Sequence, residues 1–187
     1  ADNIDGKTLG RVNDLMVDKY GGIYFNGTGT YYLPPKGKVV SIGENIRTNG
    51  IMLSRDEKTL YVTNGPLIMA FDVQPDGSLK NQREFAKLQA GGDGMAVDAQ
   101  GRLYVTMGTG IEVLDKTGKS LGLIPTPRAA ITTAFSGPGK KFLYVGTMGA
   151  TIGPNGTEFA TSPTERNTAM TVYKMELVTP GYKGRLK

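Results

Sequence analysis

Four polar residues recur at comparable points of this chain: Asn13, Asn49, Asp93 and Thr132, spaced 36, 44 and 39 residues apart. Asp93, set among glycines in Gly91-Gly92-Asp93-Gly94, is the one carboxylate of the four. The 187 residues include no histidine and no cysteine. That excludes a Ser-His-Asp triad, a His general base, a Cys nucleophile, disulfides and zinc sites built on imidazole or thiolate. Hydrolytic chemistry on this chain would have to run on carboxylates, amides and hard oxygen ligands. The question is what brings such residues together.

Each recurring residue opens the same local pattern, a short apolar strand, a tight turn and a second strand with an apolar-Tyr-apolar core. The first copy runs Asn13 to Asp18, turns at Lys19-Tyr20-Gly21-Gly22 and continues Ile23-Tyr24-Phe25. The second runs Asn49 to Ser54, turns at Arg55 to Lys58 and continues Thr59 to Thr63. The third joins Asp93-Gly94-Met95-Ala96-Val97-Asp98 through Gly101 to Leu103-Tyr104-Val105, and the fourth joins Thr132 to Gly137 through Pro138 to Lys141 to Phe142-Leu143-Tyr144-Val145. A period near 40 residues is that of a four-stranded propeller blade. Further strands fall at 67–73 and 81–85, and at 110–115 and 120–124, with turns at Pro75-Asp76-Gly77 and Lys116 to Lys119. The last strands are expected at 170–177, after an irregular stretch, 149–167, read as a surface loop. The tail, 179–187, reads as an exposed end, and residues 1–10 as holding the end of a strand from a further repeat.

The expected fold is therefore all-β, a β-propeller, as one unit over 1–187 with repeats starting near 13, 49, 93 and 132. Composition agrees: 27 glycines suit many tight turns, and an apolar content of 39% is enough to bury a core. Repetition around an axis aims the first residue of every innermost strand at one central region. The net charge of +5 is spread singly along turns, which argues against nucleic acid as a partner. No apolar run is long enough for a membrane-spanning helix. The opening Ala1-Asp2-Asn3-Ile4-Asp5-Gly6 lacks the basic start and apolar segment of a secretory leader, and the absence of an initiator Met suggests residues upstream. A soluble chain of the cytoplasm or the periplasm is expected.

These motifs resemble those of the SMP-30/gluconolactonase/LRE family, calcium-dependent lactonases built as six-bladed β-propellers. The likeness rests on Arg-x-Asn-Asp at 11–14, Asn-Gly-Ile-x-Leu-Ser at 49–54 followed by Leu-Tyr-Val-Thr, and Gly-Asp-Gly-Met-Ala-Val-Asp at 92–98 followed by Gly-Arg-Leu-Tyr-Val. Ala-Phe-Ser-Gly-Pro and Leu-Tyr-Val within 134–145 add to it. The resemblance implies a divalent cation on the axis, Ca²⁺ or else Mg²⁺, Mn²⁺ or Zn²⁺, with Asn49 and Asp93 as direct ligands. It places Asn13 close by, touching the substrate or the water on the metal and counted with the ligands, and Arg11 against the substrate, a small-molecule lactone. Asp93 would also be the general base. Amide and carboxylate oxygens are a set suited to such a hard cation, which would polarise a lactone carbonyl and acidify a water.

The sequence departs from that pattern in three places. Four repeats stand where the family has six, so the first two blades and their Glu ligand are not found. Gly29-Thr30-Tyr31-Tyr32 replaces an acidic substrate contact, and Thr132 replaces an Asn. An arc of four blades would leave apolar faces bare, relieved by four-blade closure, by pairing with a second copy or by a completing chain; a truncated six-blade architecture or its assembly is favoured. A non-catalytic, self-associating binding module is thus the alternative function. Plainer readings are also open: Asn49-Gly50 and Asp93-Gly94 as turns, and Arg11 as a surface residue. Asp18, Asp98 and Asp115 are expected to form turns, Tyr24, Tyr61, Tyr104 and Tyr144 to pack within or between blades, and Met16, Met52 and Met95 to share one core position, lining the channel. The triplets Asn26-Gly27-Thr28 and Asn155-Gly156-Thr157 match the glycosylation pattern by chance.

Overall fold

The structure, a computed structural model, describes residues 3–4, 6–149 and 170–182. A two-stranded hairpin, β1 (Asn3–Ile4) and β2 (Lys7–Thr8), precedes four sheets. Blade 1 comprises β3 (Leu15–Val17), β4 (Ile23–Asn26), β5 (Thr30–Leu33) and β6 (Val40–Ile42). Blade 2 comprises β7 (Ile51–Leu53), β8 (Thr59–Asn64), β9 (Leu67–Val73) and β10 (Leu79–Lys87). Blade 3 comprises β11 (Gly92–Val97), β12 (Leu103–Met107), β13 (Gly110–Leu114) and β14 (Ser120–Pro125). Blade 4 holds three strands, β15 (Ala130–Ser136), β16 (Phe142–Met148) and β17 (Met170–Glu176). Every sheet is an antiparallel meander in chain order, and the four stand as the blades of a β-propeller. The only helix among the described residues is the 3₁₀ turn Pro138–Lys140, so no helix there could cross a membrane.

Turn chemistry sets these strands. Asp18 and Asp98 each accept a backbone N–H two residues on and another four residues on, which closes a four-residue loop. Gly101, at φ +81°, supplies the left-handed residue that the loop after Asp98 requires. Asp115 repeats the pattern through Thr117 and Lys119. The expected turn carboxylates are therefore turn carboxylates.

Blades pack face to face through alternate residues. Met16, Tyr24 and Tyr32 of blade 1 meet Ile51, Leu53, Leu60, Val62 and Phe71 of blade 2. Met52, Tyr61 and Ala70 of blade 2 meet Met95, Leu103 and Val105 of blade 3, and Tyr104 of blade 3 meets Leu143, Val145 and Phe135 of blade 4. Each large side chain buried in this way contributes about 1.5–3 kcal/mol.

Two details differ from the sequence reading. Met95 does not share the position of Met16 and Met52: Met16 pairs with Tyr24 and Met52 with Tyr61, whereas Ala96 pairs with Tyr104 and Met95 with Val105. A shift of one residue changes the face, so Met95 looks back at blade 2 while Met52 looks forward at blade 3. All three still line an axial cavity of about 300 Å³ together with Phe135. The segment around Gly181 is no loose end: Gly181 is buried, bridges Asp98 and donates its N–H to the Lys140 carbonyl. Among the described residues of 1–10, β1 and β2 pair with each other and join none of the four blade sheets, and Ile4 and Leu9 pack on Phe25 and Tyr31. The expected loop and the second glycosylation triplet fall at 150–169, outside the described residues, as do 183–187 of the tail.

Candidate functional site

Innermost strands β3, β7, β11 and β15 run side by side, and the residues that open them converge at one end. The glycines after Asn49 and Asp93 explain how close the blades come there. A Cβ on Gly50 would lie 2.0 Å from the Asp93 carbonyl oxygen, and one on Gly94 would lie 2.9 Å from Thr132 Cα. Neither glycine takes a positive φ. Asn49-Gly50 and Asp93-Gly94 are therefore not turns; glycine is needed because the backbones of adjacent blades touch there.

The approach brings three anchors together. Asn13 Nδ2 donates to Asn49 Oδ1, and the Asn49 side chain lies near enough to the Asp93 carboxylate to lower its proton affinity. Asp93 also accepts its neighbour's Gly94 N–H. Burial holds the Asp93 proton affinity above the ordinary carboxylate range; the Asn49 and Gly94 bonds oppose this, and the nearby Asp14 charge reinforces it. Asp14 lies between blades, its Oδ1 accepting Leu15 N–H at 2.9 Å and its Oδ2 accepting Ile51 N–H at 3.0 Å. Its proton affinity is likewise raised by burial, against those two backbone bonds.

Of the four residues expected from the sequence, the structure brings Asn13, Asn49 and Asp93 together. Arg11 is exposed, and no hydrogen bond or ion pair joins it to the other three. Thr132 is the third residue of β15 and lies solvent-exposed beside Gly94.

Sequence reasoning passed over one residue at this end. Asn26 is 1% exposed, too buried for glycosylation. Its Nδ2 donates to the Asn49 carbonyl, and its Oδ1 accepts the Asp14 N–H at 2.9 Å. Column comparison would have found it: two positions after the repeated Tyr the chain has Asn26, Thr63, Thr106 and Gly146. Thr63 Oγ1 accepts the N–H groups of Asn49 and Gly50 at 3.1 and 2.7 Å, and Thr106 Oγ1 donates to the Gly94 carbonyl at 3.0 Å.

The motif spacing and this convergence match a known family. The model of the SMP-30/gluconolactonase/LRE-like region covers residues 1–149. The chain belongs to the SMP-30/gluconolactonase/LRE-like family. Its similar members include a gluconolactonase of Zymomonas mobilis, 33% identical over 156 residues, which cover 66% of this chain and 44% of that protein. A regucalcin of Danio rerio is 29% identical over 184 residues, 86% of this chain and 61% of that one. A solved structure of a gluconolactonase from Xanthomonas campestris superposes with a TM-score of 0.70 at 32% identity, over 78% of this chain and 56% of that one. The chain thus spans about half the length of these SMP-30/gluconolactonase/LRE-like relatives.

The side chains of Asn13, Asn49 and Asp93 are of the chemical kinds that a hard divalent cation takes, with Asn49 Oδ1 here accepting from Asn13. They offer two amide oxygens and a carboxylate from three separate blades. Among the described residues no group of three or more His, Cys, Asp or Glu is placed to hold a metal.

Proposed function

We propose that this chain carries the catalytic end of a lactonase, with Asp93 as general base and Asn13, Asn49 and Asp93 around a divalent cation, Ca²⁺ first and Mg²⁺, Mn²⁺ or Zn²⁺ as alternatives. The observation that carries the reading is the joining of three blades' first residues through Asn49, next to a carboxylate of raised proton affinity. Gluconolactonase and regucalcin are the names of relatives; a lactone is the substrate proposed for this chain.

A general base must keep its proton affinity near the working pH and point at the proton it removes. Half-burial raises the Asp93 proton affinity in that direction, and the neighbouring Asn49 amide would orient the carboxylate. A bound cation would polarise the lactone carbonyl and favour ionisation of the attacking water. Asp93 takes that water's proton as oxygen attacks the carbonyl carbon, and the proton is returned to the ring oxygen when the C–O bond breaks. The product is a hydroxy acid. Asn13, exposed at the rim, would hydrogen-bond the lactone, and Arg11 would meet a polar substituent. A lactonase assay with and without EDTA tests the reading: activity is expected to vanish on chelation and return with Ca²⁺. Hydrolysis that is indifferent to both EDTA and Asp93→Asn would sink it.

One observation favours a second reading, a self-associating module that binds without catalysis. On the outward face of blade 4 Met148, Met170 and Val172 are 52%, 53% and 65% exposed, and Tyr144, whose counterparts Tyr24, Tyr61 and Tyr104 are buried by the next blade, is left half-buried. A second copy or a completing chain would cover this face. Light scattering coupled to size exclusion, with and without Ca²⁺, separates the readings: a monomer with lactonase activity excludes the second.

A further inference from the structure

The three joints between blades are built differently where they meet the axis. Blades 2 and 3 touch through backbone at Gly50 and Asp93, and blades 3 and 4 through backbone at Gly94 and Thr132. Blades 1 and 2 are joined by side chains. Asp14 stands in the column of Gly50 and Gly94, and it spans the gap by accepting Ile51 N–H. Asn26 stands in the column of Thr63 and Thr106, but it reaches past its own blade to the Asn49 carbonyl while its other end accepts the Asp14 N–H. Asn13 adds its amide to Asn49 Oδ1. Residues 49–51 of blade 2 are thus held from blade 1 at a carbonyl, at a side chain and at an N–H.

From this geometry we infer that Asn26 is a positioning residue for the site: it sets where the Asn49 side chain stands relative to Asp93. Its chemistry is specific. One end of the side chain must accept from an N–H and the other must donate to a carbonyl, which a primary amide does and neither a carboxylate nor a single hydroxyl can do across that gap. An Asp of the same shape would place an oxygen against the Asn49 carbonyl. A Thr, like those in blades 2 and 3, would bond within its own blade and leave the Asn49 carbonyl with only the 3.4 Å contact from Asn13. The residue touches neither substrate nor cation, and its role at a metal site rests on the function proposed above.

Asn26→Asp and Asn26→Thr, made in the whole chain, test this with two readouts. Terbium or Ca²⁺ titration at a temperature well below the melting transition is expected to show affinity reduced about tenfold or more, the effect of losing a group that orients a ligand. NMR of the Asn49 side-chain amide, assigned through Asn49→Asp, is expected to show its resonances shifted in both variants. If one variant does not fold, the other decides. Unchanged affinity and unchanged Asn49 resonances, with only a lowered melting temperature, would make Asn26 structural and overturn the inference. If the wild type binds no cation, the metal reading fails by itself, and the Asn49 resonances alone decide: shifted, they support the positioning role; unshifted, they overturn it.

Discussion

Asp93 and Asp98 lie five residues apart on the same strand and turn, and the protein uses them in opposite ways. Asp98 is 0% exposed and fully partnered. Its Oδ1 accepts the N–H groups of Gln100 and Arg102 at 2.8 and 3.0 Å, and its Oδ2 accepts Arg102 Nε at 2.6 Å and the Tyr104 hydroxyl at 3.3 Å. Asp93 is partly exposed, and its recorded partners are one side-chain amide and the Gly94 N–H. Burial therefore means different things at the two ends of β11. At the turn end the charge is matched by donors and becomes scaffold. At the axial end burial outweighs the donors, and the carboxylate keeps an unmet affinity for a proton or a cation.

The largest expected effect is the loss of chemistry at Asp93. Asp93→Asn keeps the shape and removes the proposed base, so kcat/KM for lactone hydrolysis should fall about 10²–10⁴-fold with the fold intact. Asp98→Ala should do the reverse. It strands the buried Tyr104 hydroxyl and two turn N–H groups and leaves Arg102 unpaired, at a cost of about 3 kcal/mol, which lowers the melting temperature by roughly 6–12 °C. Activity per folded molecule should survive. Calorimetry and initial rates on the two variants would break the comparison if both lost activity equally with unchanged stability.

Glycine offers a smaller contrast between the same two ends. Gly50→Ala pushes a methyl group to 2.0 Å from the Asp93 carbonyl, a backbone clash expected to cost about 1–3 kcal/mol and to shift Asp93. Gly21→Ala has nothing within 4 Å but sits at φ +88°, so only local strain of about 1–2 kcal/mol is expected. Both should melt earlier. A reduced kcat in Gly50→Ala alone would tie the contact between blades 2 and 3 to function; equal kcat in both would cut that tie.

Repetition made most of the fold legible in the sequence. The recurring Tyr and the Asp-x-x-Gly turns carry local information, and the column of Asn13, Asn49 and Asp93 located the axial end because symmetry turns equal positions into converging ones. Less legible was what depends on the neighbouring blade. Met95 looked equivalent to Met16 and Met52, yet one residue of offset puts it on the other face. Asn26 resembled a chance glycosylation triplet because its partner, the Asn49 carbonyl, is backbone and belongs to another blade. Gly181 belongs to a segment with no periodicity, and its pairing with Asp98 is set by tertiary packing alone.

The smallest expected effect is one of sign. Asp115 and Asp76 hold their carboxyls below the ordinary value of 3.8, chiefly through the hydroxyls of Thr117 and Ser78. Such groups stabilise the fold above pH 3.8, and the contribution is lost as pH falls through their lowered native values. Asp93, raised by burial, works the other way: its contribution is present below 3.8 and is lost as pH rises through the raised native value, because the folded protein must then hold a poorly partnered charge. In EDTA, so that no cation compensates, Asp93→Asn should therefore melt higher than wild type at pH 7, and the difference should shrink to nothing below pH 3.8. Asp115→Asn should show the opposite, a deficit at pH 7 that closes in acid. Melting curves from pH 3 to 7 on the two variants give the answer. Two differences of the same sign would mean that Asp93 is one more satisfied turn carboxylate, and the distinction between the two ends of β11 would be lost.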